Sequence, residues 1–262
     1  MRTKGFLALA VLTVSVRAFG QGDVWLVRAG EPCCAIVRGA EDDYAAERLQ
    51  QWFREAAGFE VPVSLDEAPG GVSCVIALGS PRSNPLVDRL AKVHLLDVEA
   101  DSLSDQGYVA RTVRDEGRDW VILAGGGRPG TLYAVTDLFN WRLEQDERGI
   151  WTPELNAREV PRYRYRWFWN WDHRMDWGGP GRIGDVMGGG GTFSKAPEAF
   201  LIDFKRCVDF MADHKFNGLI IWGFLRDTHG GIEASQELCR YAARRCVRIL
   251  PGVGTSGYAG YY

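Results

Sequence analysis

The sequence lacks three features that would assign it to a functional class at once: an excess of one charge, a long apolar run, and the spacing of a metal site. Its 262 residues contain 31 Lys and Arg against 34 Asp and Glu, a net charge of −3. This balance provides no electrostatic attraction to nucleic acid or to an anionic membrane surface. The apolar run at residues 6–16 is shorter than the about 20 residues that a membrane helix needs. We therefore expect no nucleic-acid partner and no membrane span.

Cysteine is also scarce. The chain has 6 cysteines, and neither they nor the 4 histidines follow the ligand spacing of zinc sites. Disulfide frameworks belong to short, cysteine-dense chains, whereas Cys207, Cys239 and Cys246 lie in helical patterns among apolar neighbours. The pattern predicts buried free thiols, with an isolated disulfide as the alternative. It predicts no metal site and no cofactor.

The first twenty residues have the composition of a secretory signal. Arg2 and Lys4 precede the apolar run, and the small residues Ala18 and Gly20 follow it. A basic start, an apolar stretch and small residues at the cleavage point are typical of signal peptides. We expect residues 1–20 to be a signal peptide and the mature protein to be secreted or periplasmic. The alternative is a buried N-terminal strand.

Two blocks with different patterns follow the signal segment. In residues 21–155, strands are predicted at 24–28, 35–38, 61–64, 72–78, 107–113 and 120–124, and helices at 43–57, 85–93 and 129–143. No strand is expected in the polar stretch 144–149. This mixture favours an α+β domain in which the helices pack on a sheet.

Residues 156–262 alternate strictly between strand and helix. Strands are predicted at 165–171, 219–222 and 247–251, and helices at 197–214 and 233–245. Apolar strands that alternate with helices indicate a parallel βα arrangement. A (β/α)8 TIM barrel typically takes about 250 residues, so this block has room for about three of its eight strands. We expect an incomplete barrel that continues beyond Tyr262.

A glycine-rich turn at residues 125–130 matches the G-x-G-x-x-G spacing of dinucleotide sites. Such a site also needs an acidic residue about 20 positions later, at the end of the next strand of a βαβ unit. The sequence pattern predicts no such strand at that place. We interpret the glycines as a tight turn into a closely packed helix, and keep a nucleotide-binding enzyme as the alternative.

Several short motifs in the first block resemble a known accessory domain. They occur in one order along the chain: 45–50 leading to Gly58, then 61–63, 76–79, 106–108, 123–126 and 130–135. This domain precedes the catalytic barrel in bacterial α-glucuronidases and β-N-acetylhexosaminidases. The resemblance covers about residues 24–145.

The second block resembles the start of the barrel of the same glycoside hydrolases. The run from Arg166 to Asp172 is similar to the first strand of α-glucuronidases, although no His separates Asn170 from Trp171. Arg166 matches a sugar-binding Arg of the β-N-acetylhexosaminidases, although Trp167 stands where their Gly follows. Residues 216–221 and 247–252 are similar to the second and third strands of both families. The resemblance implies an exported glycoside hydrolase that acts on terminal sugars of polysaccharides or oligosaccharides.

In these families the catalytic acids lie on later strands, which implies that this chain carries a sugar-binding wall and that its catalytic acids lie beyond Tyr262. Arg166 and Asn170 are candidate donors to hydroxyl or carboxylate groups. Asp172 is a candidate acceptor, and Trp171 and Trp222 provide flat apolar faces.

Each assignment has a structural alternative. Arg166 and Asp172 would form an ion pair, and the strand tryptophans would pack on the helices. An acid pair of Asp172 with Asp227 is a further alternative. His173 and Tyr258 also follow strands, and residues 188–191 would form either a lid or an ordinary loop.

Two functions from different classes remain. The first is the glycoside hydrolase, and the second is a non-catalytic carbohydrate-binding protein on the same scaffold. Asp or Glu residues at strand ends beyond Tyr262 would distinguish the enzyme from the binding protein.

Overall fold

The structure is a computed structural model that describes residues 20, 22–98, 100–172, 187–188, 192–193 and 197–252. Apart from Gly20, the expected signal peptide lies outside the described residues, as do His173, Tyr258 and residues 189–191. In the part of the chain that is described, no helix has both the length and the apolar character required to cross a membrane.

The described residues form fifteen strands and six α-helices. The strands are β1 (Val24–Arg28), β2 (Glu31–Pro32), β3 (Cys34–Arg38), β4 (Val63–Leu65), β5 (Cys74–Gly79), β6 (Tyr108–Asp115), β7 (Arg118–Gly125), β8 (Glu144–Asp146), β9 (Gly149–Thr152), β10 (Asn156–Glu159), β11 (Trp167–Trp171), β12 (Met187–Gly188), β13 (Thr192–Phe193), β14 (Gly218–Trp222) and β15 (Arg248–Gly252). The helices are α1 (Asp43–Ala57), α2 (Pro85–Val93), α3 (Ala100–Leu103), α4 (Arg128–Asp137), α5 (Pro197–Asp213) and α6 (Gly231–Arg244). A π-helical turn at Leu138–Arg142 continues α4, and a 3-10 turn at Asp227–His229 precedes α6.

A six-stranded mixed sheet organises the first block, in the order β10-β6-β7-β5-β3-β4. The neighbours β4, β3, β5 and β7 run parallel, while β6 and β7 form the predicted antiparallel hairpin. Alternate residues of the strands are buried on opposite faces. Ile36 and Ile76 pack with the α1 residues Leu49 and Phe53, whereas Val75 and its neighbours pack under α2. The expected sheet with packed helices is therefore confirmed, with helices on both of its faces.

A second sheet corrects the expectation for residues 144–149. This antiparallel sheet has the order β2-β1-β9-β8, and β9 pairs with β1 through Gly149 opposite Arg28 and Thr152 opposite Val24. The polar stretch thus contains β8 and the start of β9. Local pattern did not predict these strands, because β9 pairs with β1, more than a hundred residues earlier in the chain, and β8 joins the sheet only through β9. Strand β10 pairs with β6, so the six-stranded sheet extends past residue 155 to Glu159.

The glycine-rich turn is filled by protein rather than open to a phosphate. A Cβ atom on Gly126 would overlap the carbonyl oxygen of Ser104, and one on Gly130 would overlap that of Gly107. The N–H of Gly126 donates to Gly107 at 2.9 Å, and the N–H of Gly130 donates to Asp105 at 3.1 Å. A phosphate site needs free backbone N–H groups at the helix start, and these two already have partners. The interpretation as a tight, closely packed turn is confirmed.

The second block contains a parallel sheet of β11, β14 and β15, in that order. Helices α5 and α6 cover one face of it, where Leu219 and Ile221 of β14 pack with Phe204, Val208 and Leu238. The strand–helix alternation predicted from the sequence is confirmed. Helix α1 of the first block contacts this layer, because Arg48 forms a bidentate ion pair with Asp213 at the end of α5.

Candidate functional site

The carboxyl ends of the three parallel strands meet at one edge of the sheet. Trp171, Trp222 and Gly252 occupy equivalent positions on β11, β14 and β15. Sheets of this type bind ligands beyond the carboxyl ends of their strands. We call this edge the strand-end pocket and define it by Asn170, Trp171, Trp222 and Arg226.

A buried polar cluster lies directly behind this pocket. Asp172 is 0% exposed, and its N–H donates to the carbonyl of Trp222 at 2.8 Å. Its Oδ2 atom lies 3.3 Å from Nε of Arg226 and 3.5 Å from Nε2 of His229. The ion-pair alternative therefore describes the geometry of Asp172, with Arg226 as the partner in place of Arg166.

A glycine and an aromatic ring hold this cluster in place. Gly223 has φ +79°, and a Cβ atom there would lie 2.5 Å from Oδ2 of Asp172. Its carbonyl lies 2.7 Å from Nε2 of His229, so this ring nitrogen donates the hydrogen bond. The imidazole of His229 also stacks on Phe200 with a centroid distance of 4.0 Å and an interplanar angle of 7°.

This cluster changes the expected role of Asp172. A fully buried carboxylate cannot accept directly from sugar hydroxyls in the described structure, but it orients the guanidinium of Arg226, whose side chain is 20% exposed. Arg226 and His229 are not among the sugar-binding candidates that the sequence suggests. The available signal was that β14 and β11 end side by side, which brings Arg226 next to Asp172.

The tryptophans of β11 lie on the face of the sheet opposite the helices. Phe168 points toward α5 and packs on Phe216 and Phe210 at centroid distances of 4.5 and 6.3 Å. Trp167 and Trp169 lie on the other face and are 36% and 55% exposed. The expectation that these tryptophans pack on the helices is wrong, because alternation along the strand assigns Phe168 to the helix side.

Aromatic contacts extend from β11 to β14. The rings of Trp171 and Trp222 lie 5.9 Å apart at 39°, and those of Trp169 and Trp171 lie 6.0 Å apart at 69°. The indole Nε1 of Trp222 is buried and has no hydrogen-bond partner among the described residues. Asn170 lies beside them, and its Oδ1 accepts from the N–H of Trp171 at 2.8 Å. The strand-end pocket thus presents the apolar faces of two indole rings, with the N–H of Trp222 buried and Asn170 on the same side of β11 as Phe168.

Arg166 lies at the opposite edge of the sheet. It precedes β11, and the five residues between it and Asp172 span about 16 Å of extended chain. Its Nε donates to the carbonyl of Lys215 at 2.7 Å, and its guanidinium lies 5.4 Å from the Tyr133 ring of the first block. The structure brings Asn170, Trp171, Asp172 and Trp222 together and does not bring Arg166 to them.

The cysteines do not offer a nucleophile. All six are free thiols, as expected, although Cys239 is exposed rather than buried. Burial raises the pKa of Cys207 to about 12 and that of Cys246 to about 11. Since the thiolate is the reactive form, these two are inert near neutral pH. Within the described ranges no group of three His, Cys, Asp or Glu side chains could hold a metal ion.

Comparison with solved structures identifies the fold. No protein-family model matches the sequence, and the comparison with curated proteins gives no match. The N-acetyl-β-hexosaminidase of Streptomyces plicatus, in complex with Thio-NAglucal, has a TM-score of 0.52 at 17% identity over 84% of this chain. The GH20 exo-β-N-acetylglucosaminidase of Vibrio harveyi, in complex with N-acetylglucosamine, has a TM-score of 0.50 at 13% identity over 88% of it. The protein CpGH84D has a TM-score of 0.58 at 14% identity over 89%.

This likeness is one of fold. The chain spans 42% of the length of the Streptomyces enzyme, 33% of the Vibrio enzyme and 35% of CpGH84D. At the level of the fold, these comparisons confirm the resemblance to β-N-acetylhexosaminidases that the short sequence motifs indicated. The chain has a mixed α/β fold that it shares with glycosidases.

Proposed function

We propose that this chain belongs to an exported glycoside hydrolase that acts on terminal sugars, with β-N-acetylhexosaminidase-like or α-glucuronidase-like specificity. In this proposal the accessory domain begins at residue 21 and runs to Glu159, past the boundary at 155 expected from the sequence, because β10 belongs to its sheet. The residues after it form the first part of a TIM barrel, about three of eight strands. The observation that carries it is the strand-end pocket, whose aromatic faces and arginine lie at the edge where this fold binds ligands.

Each pocket residue has a role that follows from its geometry. The faces of Trp171 and Trp222 would pack on the apolar face of a sugar ring. Asp172 holds Nε of Arg226 at 3.3 Å, so the guanidinium would present its remaining donors toward a hydroxyl or carboxylate. Asp172 therefore acts as a positioning residue.

Cleavage requires an acid and a second group on the other side of the scissile bond. In the proposal these groups lie on later strands, beyond Tyr262. The chain itself would bind and orient the terminal sugar.

One observation favours the second candidate, a non-catalytic carbohydrate-binding protein. Asp172, the carboxylate directly behind the pocket, is buried in an ion pair. A pair of accessible carboxylates flanking the bond is the usual requirement for glycoside hydrolysis, and Asp172 does not provide one of them.

Release of 4-nitrophenol from a panel of sugar conjugates distinguishes the two functions. The panel includes β-N-acetylglucosaminide and α-glucuronide, and it compares this chain with a form that continues through the coding sequence after Tyr262. We expect release by the extended form alone, and we expect Trp222→Ala in that form to lower kcat/KM at least about tenfold, or about 1.4 kcal/mol. Arg82→Gln, at an exposed position of the first block, is the matched control and should leave the rate unchanged.

Three results would each contradict a different part of this proposal. Release by the 262-residue chain would place the acids within it and make Asp227 the next residue to test. If neither form releases 4-nitrophenol and the chain binds sugar saturably, the protein is the carbohydrate-binding protein instead. If Trp222→Ala and Arg82→Gln lower kcat/KM equally, the strand-end pocket does not contribute to catalysis.

A further inference from the structure

The face of the three-stranded sheet that lies opposite the helices is built in rows that run across the strands. Strands β11, β14 and β15 are parallel and in register, so the members of a row stand side by side at about 4.8 Å. The row at the amino end consists of Trp167, Gly218 and Arg248, and the row at the carboxyl end consists of Trp171, Trp222 and Gly252. Each of these two rows places a glycine beside a tryptophan of the neighbouring strand.

Each glycine lies against the face of that neighbouring indole. A Cβ atom on Gly252 would lie 2.8, 2.9 and 3.0 Å from the ring atoms Cγ, Cδ2 and Cδ1 of Trp222. A Cβ atom on Gly218 would overlap Nε1, Cδ1 and Cε2 of Trp167. Nearly equal distances to three ring atoms mean that the added atom would meet the face of the ring rather than its edge. Carbon atoms in contact need about 3.5–4.0 Å, so neither position has room for a side chain.

The backbone does not require glycine at either position. Neither Gly218 nor Gly252 has a φ in the left-handed region. Both lie within strands, where glycine is less favourable than a residue with a side chain. The contact with the indole ring is therefore the feature of the structure that requires glycine at these two positions.

The two indoles differ in the space on their other side. Trp222 stands between Trp171 on β11 and Gly252 on β15, and the ring of Trp171 lies 5.9 Å away. The indole of Trp222 therefore leans across β15, where the row has no side chain. Trp167 lies on the edge strand of the sheet and is 36% exposed, so its ring can move toward solvent.

We propose that Gly252 is a positioning residue of the strand-end pocket. Because it presents no side chain, Gly252 lets the indole of Trp222 settle at 39° to that of Trp171, and this angle shapes the apolar surface that a sugar ring would meet. A side chain at position 252 would push the indole toward Trp171 and reshape that surface. The consequence for the sugar rests on the proposed function, whereas the orientation of the indole does not.

Circular dichroism tests the orientation of the indole without any sugar. Two neighbouring indoles couple their electronic transitions, and the size and sign of the resulting couplet depend on the angle between the rings. In each variant, the couplet is obtained as the difference between spectra recorded without and with Trp222→Ala. We expect Gly252→Ala to change this couplet. Gly218→Ala is the matched control, because it adds the same methyl group against the indole of Trp167, and it should leave the couplet of Trp222 unchanged.

Activity of the extended form tests the consequence for the pocket. We expect Gly252→Ala to lower kcat/KM at least about fivefold, because a displaced binding group no longer holds the sugar in place. The same substitution should have no further effect in a chain that already carries Trp222→Ala, since no ring remains to be displaced. If Gly252→Ala does not fold by itself, the proposal requires that it fold together with Trp222→Ala.

Other results would overturn the proposal. An unchanged couplet in Gly252→Ala means that the glycine does not set the angle of the indole. An equal change in Gly218→Ala indicates a general distortion of the sheet. A loss of activity or of folding that persists beside Trp222→Ala means that the methyl group acts on a different neighbour. A changed couplet together with a kcat/KM that Trp222→Ala leaves unaltered supports the positioning of the indole and contradicts the proposed function instead.

Discussion

Replacing Gly126 with alanine is expected to destabilise the chain by about 3 kcal/mol, at the upper end of the range for overpacking a closely packed site. The added Cβ atom would overlap the backbone carbonyl of Ser104, and backbone cannot rotate away as a flexible side chain would. Accommodation requires that the turn at 125–127 and the segment at 104–107 separate, which breaks the hydrogen bond from Gly126 to Gly107. Urea unfolding followed by tryptophan fluorescence measures the loss.

The matched control for this substitution is Gly70→Ala. A Cβ atom at Gly70 meets nothing within 4 Å, so we expect its stability to equal or slightly exceed that of the unaltered chain. Equal stabilities for the two variants would mean that the turn is open beside Gly126. The turn would then regain its alternative interpretation as a phosphate-binding loop, and titration with a dinucleotide would be the next measurement.

Replacing Asp172 with alanine is expected to cost about 3–5 kcal/mol of folding stability, because it leaves a largely buried charge without its partner. The substitution removes the carboxylate that faces Arg226 and His229, and it also leaves a cavity. Asp172→Asn keeps the shape and loses the charge, so we expect a smaller loss. Thermal and urea unfolding of both variants give the two values.

Asp227→Ala is the control, because it removes a neighbouring acidic residue that is exposed. Substitutions of exposed residues usually change the free energy of unfolding by no more than about 0.5 kcal/mol. A loss for Asp172→Ala no larger than that of the control would contradict the buried ion pair. Asp172→Asn also tests the positioning role. If this variant folds, we expect weaker binding of the sugar in the strand-end pocket, because Arg226 loses its fixed orientation.

Local pattern predicted most of the regular structure, and the elements that it missed are short. Helix α1 ends at Gly58 as expected, because that residue adopts φ +72°, and the hairpin of β6 and β7 follows its turn residues. Strands β8, β9 and β10 were not predicted. Each is four residues or shorter. The partners of β9 and β10 are the distant strands β1 and β6, while β8 pairs with the adjacent β9.

The candidate site could likewise be predicted from the sequence only in part. The end of β11 and the end of β14 could be predicted from the sequence as neighbours, since parallel strands in one sheet place their carboxyl ends at one edge. This is why Asn170, Trp171, Asp172 and Trp222, which the sequence places at strand ends, lie at one edge of the sheet. Arg166 was assigned to the same group on family resemblance, and the strand direction places it at the other end.

By itself, the sequence determined the order of strands and helices, the close turn at 125–130 and the edge of the parallel sheet where polar and aromatic residues gather. These follow from local conformational preference and from apolar periodicity, which are properties of short segments. Only the tertiary structure decided that Asp172 pairs with Arg226, that the tryptophans of β11 face away from the helices, and that Arg164 and Arg248 line one small cleft. Each of these depends on which side of a strand a residue occupies and on which distant segment packs against it.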